Sequence, residues 1–263
     1  MARLAMVTGA SSGIGEAYAE RLARDGWDLV VVARRRDRLE ELAGRLAAEH
    51  GVAVRAVDAD LADGGALAAL STEAAEMGLG LLVNSAALAH YMPFEELPPE
   101  AAHTLVKLNV LAPVLLTRAV VPGMVEREEG GIVNVASLLA FSGDWDAPHL
   151  PRRAVYAATK SFLVTFTQVL ASELRGTGVR AQVVCPGVVR SEFHSRQGID
   201  MSAVPRMEPA AVVQASLLDL ERGTVVSIPG ARDDAAFESI AAAQRELQGT
   251  TRAVELPDRY DAP

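Results

Sequence analysis

A chain of 263 residues that is 50% hydrophobic and 22% charged carries enough apolar side chain for one sizeable core, and its net charge of −9 speaks against a general nucleic-acid binder. The single cysteine, Cys185, excludes an intramolecular disulfide and suits a reducing, cytoplasmic setting. The opening residues, MARLAMVTGASSGIG, lack the cationic start and long apolar run of a signal peptide, no run of about 20 apolar residues announces a membrane span, and the five histidines lack metal-ligand spacing, so neither membrane nor metal is expected.

Residues 3–8, RLAMVT, predict a short buried strand, and the stretch after Gly9, Gly13 and Gly15 predicts a helix. Strand, glycine-rich turn and helix in that order make a phosphate site. Glycine lets the backbone approach a pyrophosphate, and the helix start offers free N–H groups and partial positive charge. The spacing T-G-x-x-x-G-x-G is one residue wider than the commonest dinucleotide fingerprint, but both flanks are those of a cofactor grip. Residues 28–33, DLVVVA, predict the second strand. Sites for NAD end this strand on an acid; this chain has Arg34 and then Arg35. Guanidinium groups pair with a ribose 2′-phosphate that a carboxylate would repel, and positive charge is otherwise unfavourable at a helix start. NADP(H) is therefore expected over NAD(H).

Further along, residues 38–50 predict a helix, 52–60 a strand ending at Asp60-Leu61, 63–77 a helix and 79–86 a fourth strand. Residues 98–127 predict two helical stretches with a buried Asn109 near their junction. A fifth strand covers 130–137, ending at Ser137. Residues 154–175, AVYAATKSFLVTFTQVLASELR, predict one helix without Gly or Pro, in which Tyr156 and Lys160 stand four apart on one face. A phenol with a pKa of about 10 is a poor base, and a neighbouring ammonium favours its phenolate, so the pair is a candidate acid–base unit. A sixth strand, 179–186, is broken by Pro186-Gly187. Residues 190–207 predict a mobile lid, 208–221 a helix, 224–230 a last strand and 231–248 a further helix. Strands alternating with helices predict an α/β, doubly wound parallel sheet.

In this order the chain resembles the short-chain dehydrogenase/reductase family: TGASSGIG at 8–15, Asp60-Leu61, NSAA at 84–87, Asn109, Ser137, YAATK at 156–160 and PGVVRS at 186–191. The resemblance covers roughly residues 3 to 230. It implies a single Rossmann-type domain of about seven parallel strands over 1–230, with 231–263 as a helical extension, and NAD(P)-dependent carbonyl reduction or alcohol oxidation. By the same resemblance Tyr156 is the acid–base residue, Lys160 binds the nicotinamide ribose and lowers the phenol pKa, Ser137 holds the substrate oxygen, and Asn109 holds a water that links Lys160 to solvent. The cofactor would meet Gly9, Ser11, Ser12, Gly13, Ile14 and Gly15 at the turn. It would meet Arg34, Arg35, Asp60, Leu61, Asn84 and Ala86 along the adenosine side, and Tyr156, Lys160, Pro186, Gly187, Val189 and Ser191 near the nicotinamide. The chain departs from the family pattern in three places: Ser85 and Ala87 replace the usual Asn and Gly, Ser191 replaces a commoner Thr, and Ser137 and Tyr156 lie farther apart than is common. The longer loop between them carries Trp145, Pro148, His149 and Pro151.

The expected activity is an NADP(H)-dependent oxidoreductase that interconverts a carbonyl and a secondary alcohol on an apolar small molecule. The expected pocket is Met92, Phe94, Leu138, Leu139, Phe141, Phe193 and Met201, and the expected assembly a homodimer or homotetramer. Two other readings stand beside it. A non-catalytic NADP(H)-binding redox sensor on the same fold has no need of Ser137, Tyr156 and Lys160 together. An adenosylmethionine methyltransferase wants an acid where Arg34 stands.

Overall fold

Short runs of aliphatic and β-branched residues, each bounded by Gly, Asp or Asn, form the strands, as pleated and doubly buried positions favour. The computed structural model describes residues 3–143, 150–233, 235–252 and 254–255. The strands are β1 (Leu4–Thr8), β2 (Asp28–Ala33), β3 (Val54–Asp58), β4 (Leu81–Asn84), β5 (Gly130–Val135), β6 (Val179–Val184) and β7 (Val226–Ser227). They pair in parallel in the order β3-β2-β1-β4-β5-β6-β7. Order reverses between β1 and β4, which opens a crevice at the strands' carboxyl ends, where such sheets take ligands.

Side-chain alternation divides the core between the two faces. Ala5, Val7, Leu29, Val31, Leu81, Val83, Val133 and Val135 pack under α1 (Gly13–Arg24), α2 (Arg36–His50) and α7 (Pro209–Arg222). Met6, Val30, Val32, Leu82 and Ile132 pack on the other face, against α3 (Gly64–Glu76) and α5 (Ala112–Glu126). Here too lie α4 (Pro99–Val106) and α6 (Ala154–Glu173). Each face carries a buried polar network. On the first, Tyr18 Oη donates to Ser216 Oγ at 2.5 Å and Ser216 Oγ to Gln182 Oε1 at 2.7 Å. On the second, Asn84 Nδ2 donates to Asn134 Oδ1 at 2.9 Å and Asn134 Nδ2 to Thr167 Oγ1 at 2.9 Å.

Two boundaries differ from those predicted. The helical stretches over 98–127 are one helix, in which a π turn, Lys107–Leu111, joins α4 to α5 without a break. That helix, Pro99–Glu126, is long and apolar enough by length and composition to cross a membrane, which the sequence reading did not anticipate. Its apolar side chains Leu105, Leu108, Ala112, Leu116, Val120 and Met124 are buried in the protein. The last strand shrinks to two residues because it pairs only with the end of β6, at Val183 and Val184. Trp145, Pro148 and His149 lie outside the described residues. The chain divides into one unit through Pro229, which contains the whole sheet, and a second from Gly230. The second unit contains α8 (Ala235–Gly249), where the sequence predicts 231–248.

Candidate active site

The turn after β1 is built so that only glycine fits. Gly9 has φ +69°, and a Cβ there would lie 2.8 Å from Ala86 Cα; Gly13 has φ +63°. A Cβ on Gly15 would lie 2.4 Å from Gly9 O, so this glycine lets α1 start hard against the turn. Ser12 caps α1 without a side-chain hydrogen bond to it, which leaves the first N–H groups free for an anion. The backbone cradle therefore fits a pyrophosphate. Facing it, Thr8 Oγ1 accepts from Ser85 N and Ala86 N, both at 3.1 Å, and so fixes the end of β4. Asn84, expected on the adenosine side of the cofactor, instead joins the buried sheet network. Its Nδ2 donates to Asn134 Oδ1 and Thr117 Oγ1.

A cavity of about 970 Å³ runs along the strand ends. Gly9, Ser11, Ser12, Gly13, Ile14, Arg34, Arg35, Asp60, Leu61 and Ala86 line one arm; Ser137, Tyr156, Lys160, Pro186, Gly187, Val189 and Ser191 line the other. Gly15, Asn84 and Asn109 do not reach it. Of the two arginines, Arg35 turns back over the glycine turn. Its Nη2 donates to Ser11 O at 2.9 Å, Ser11 Oγ at 2.8 Å and Ser12 Oγ at 2.9 Å. Arg34 stays exposed, 3.9 Å from the carboxylate of Asp60.

At the other arm α6 presents Tyr156 and Lys160, both buried, one turn apart. Lys160 Nζ donates to Val135 O at 2.9 Å and lies 5.6 Å from the Tyr156 ring centre. Ser137 follows β5. Its Oγ accepts from Leu139 N at 3.1 Å, starting the short turn Leu138–Phe141, and it lines the cavity together with Tyr156. The electrostatics differ from expectation. Burial holds the Tyr156 phenol well above 10, and the neighbouring Tyr91 adds to this; the Ser137 hydrogen bond works the other way. Burial also brings the Lys160 ammonium down to about 8. Burial dominates at both groups and raises the phenol, where the sequence predicts that the neighbouring ammonium lowers it.

Asn109 sits in the π turn and is committed elsewhere. Its Oδ1 accepts from Leu88 N at 3.0 Å, and its Nδ2 donates to Leu88 O at 2.9 Å and Thr159 Oγ1 at 3.1 Å. The side chain thus ties the loop after β4 to α6. That loop brings in Tyr91. Its ring meets Tyr156 edge-on at 5.5 Å and stacks on His194 at 6.0 Å. Phe193 lies 6.0 Å from the Tyr156 ring. Leu138, Leu139, Leu150, Phe193, Ile199, Met201 and Val204 make this end of the cavity apolar. Met92, Phe94 and Phe141, also expected there, do not line it; Phe94 is exposed.

Residues 3–201 match the family model for short chain dehydrogenases. The chain belongs to the short-chain dehydrogenase family. It has a Rossmann-like fold. A short-chain dehydrogenase from Sphingobium yanoikuyae, solved in complex with NADPH, superposes with a TM-score of 0.92 at 37% identity, covering 98% of this chain and 100% of that one. The bulky-bulky ketone specific alcohol dehydrogenase from Comamonas testosteroni superposes with a TM-score of 0.88 at 33% identity, covering 98% of each chain. The very-long-chain 3-oxoacyl-CoA reductase of Homo sapiens is 33% identical over 193 residues, 72% of this chain and 60% of that protein. The chain thus spans about three fifths of the length of the curated reductases of this kind that it matches.

Proposed function

We propose that the protein reduces a ketone carried between two apolar groups, using NADPH, with Tyr156 as the acid. The observation that carries this reading is the convergence of Ser137, Tyr156 and Lys160 on one apolar-walled cavity that continues to the glycine turn. The Ser137 and Tyr156 hydroxyls, both on the cavity wall, would receive a carbonyl oxygen as a two-point hydrogen-bond acceptor. Tyr156, kept neutral by burial, is loaded as a proton donor to that oxygen as negative charge develops on it. Lys160 lies within reach to stabilise the phenolate left behind. The bound nicotinamide supplies the hydride.

The large apolar lining around Tyr156 supports a bulky substrate, and the NADPH complex and the bulky-ketone enzyme among the similar structures agree with this reading. Arg35 over the turn supports the choice of NADPH. Exposed apolar stripes, Val106, Leu111 and Leu115 on the long helix and Phe162 and Val169 on α6, support a homo-oligomer. Tyr156→Phe removes only the hydroxyl. It is expected to bind NADPH as the parent does and to lose about 10²-fold or more in turnover on diaryl or long-chain ketones, in line with acid–base contributions. Turnover near the parent value would rule the assignment out.

A further inference from the structure

The segment after β6 closes over the glycine turn through a carboxylate that nothing in the proposed chemistry uses. Glu192 lies between three guanidinium groups. Its Oε2 accepts from Arg35 Nη1 at 3.0 Å, its Oε1 accepts from Arg38 Nη1 at 2.8 Å, and Arg196 also pairs with it. The same stretch touches the turn at two further points. Ser191 Cβ lies 3.1 Å from where a Gly13 Cβ would stand, and Arg196 Nη2 lies 3.5 Å from Ser12 Oγ. Arg35 therefore divides its donors: Nε and Nη2 hold Ser11 and Ser12, and Nη1 holds Glu192.

We infer that Glu192 is a displaceable stand-in for the 2′-phosphate: it holds Arg35 and Arg38 in place and latches the segment 191–197 to the turn until the phosphate takes its position. The inference rests on the NADP(H) reading. Arg35 is fixed to the turn that cradles the pyrophosphate and lies at the end of β2, where the adenosine ribose belongs. Nη1 is the Arg35 donor not used by the turn, so it is the one a 2′-phosphate would take. Phosphate and carboxylate cannot share it without close like-charge contact, so one must leave. Glu192 is the weaker ligand. Its side chain is 43% exposed, and an exposed ion pair is easily exchanged. In this arrangement Glu192 opposes the phosphate-bearing cofactor and leaves the other untouched, which makes it a determinant of cofactor choice.

The test is titration calorimetry on parent and Glu192→Gln with NADPH, NADH, 2′,5′-ADP and 5′-AMP. The last two isolate the adenosine end with and without the 2′-phosphate. Glu192→Gln is expected to bind NADPH and 2′,5′-ADP about five- to tenfold more tightly, with NADH and 5′-AMP within twofold of parent. Arg35→Ala is expected to abolish the preference for 2′,5′-ADP in either background. A parent that prefers 2′,5′-ADP while Glu192→Gln leaves the ratio unchanged, or weakens all four ligands alike, overturns the latch alone. A parent with equal affinity for 2′,5′-ADP and 5′-AMP overturns the cofactor reading and the latch with it.

Discussion

Lys160 shows how a single side chain can serve the site at the expense of the fold. It is among the largest fully buried side chains, and its ammonium donates to Val135 O. Holding its ammonium at about 8 rather than 10.5 disfavours the folded state at neutral pH by roughly 3 kcal/mol. Lys160→Met keeps the stem and removes the charge. After the lost hydrogen bond is deducted, it is expected to stabilise the cofactor-free protein by about 1–2 kcal/mol at pH 7 while abolishing turnover. The pH dependence has a definite sign. Between about pH 8 and 10.5 the unfolded chain keeps the proton that the folded one has released, so parent stability rises with pH there relative to the variant. Buried Tyr18 and Tyr156, both raised, act above pH 10 equally in both proteins and cancel in the comparison. Urea midpoints at pH 7 and pH 10 check this; a gap that does not narrow would mean that Lys160 is not the strained group.

At the scale of elements, the site depends on two devices that align separate segments. One is the glycine turn, whose closeness to Ala86 and α1 tolerates no Cβ. The other is the π turn, which places Asn109 against the loop after β4 and against Thr159 on α6. Asn109→Ala leaves Leu88 N–H, Leu88 C=O and the Thr159 hydroxyl short of partners, and is expected to cost about 3 kcal/mol. A lowered denaturant midpoint at unchanged slope would show it. A loss under about 1 kcal/mol would show that the loop is held by other contacts. The tying role follows from where the loop passes, which is a tertiary matter; the sequence shows only a polar residue within an apolar helical stretch.

Across the molecule, the polar and apolar faces of the helical layers are unequal. Leu111 with Leu115, and Phe162 with Phe166 and Val169, form stripes at helical spacing, and the Phe162 and Phe166 rings stack at 5.9 Å. Exposed apolar stripes of this kind mark contact surfaces. Sedimentation of the parent is expected to give a dimer or tetramer, and Phe162→Glu with Val169→Glu is expected to give a smaller species that still binds NADPH. A parent that sediments as one chain would leave the stripes without this role.

The sequence alone determined the order of strands and helices, because period-two and period-3.6 apolar patterns and glycine spacing are local properties. It likewise placed Tyr156 and Lys160 on one face, since four residues make about one helical turn. Tertiary structure decided what those groups become. Burial, not the ammonium, sets the state of the phenol, because desolvation depends on everything packed around it. Packing also decided that Thr8 fixes the end of β4 while Asn84 serves the sheet. It decided that Arg35 rather than Arg34 covers the turn, and it brought Tyr91 and Glu192 to a site many residues away in the chain. Such contacts join segments whose separation no local pattern records.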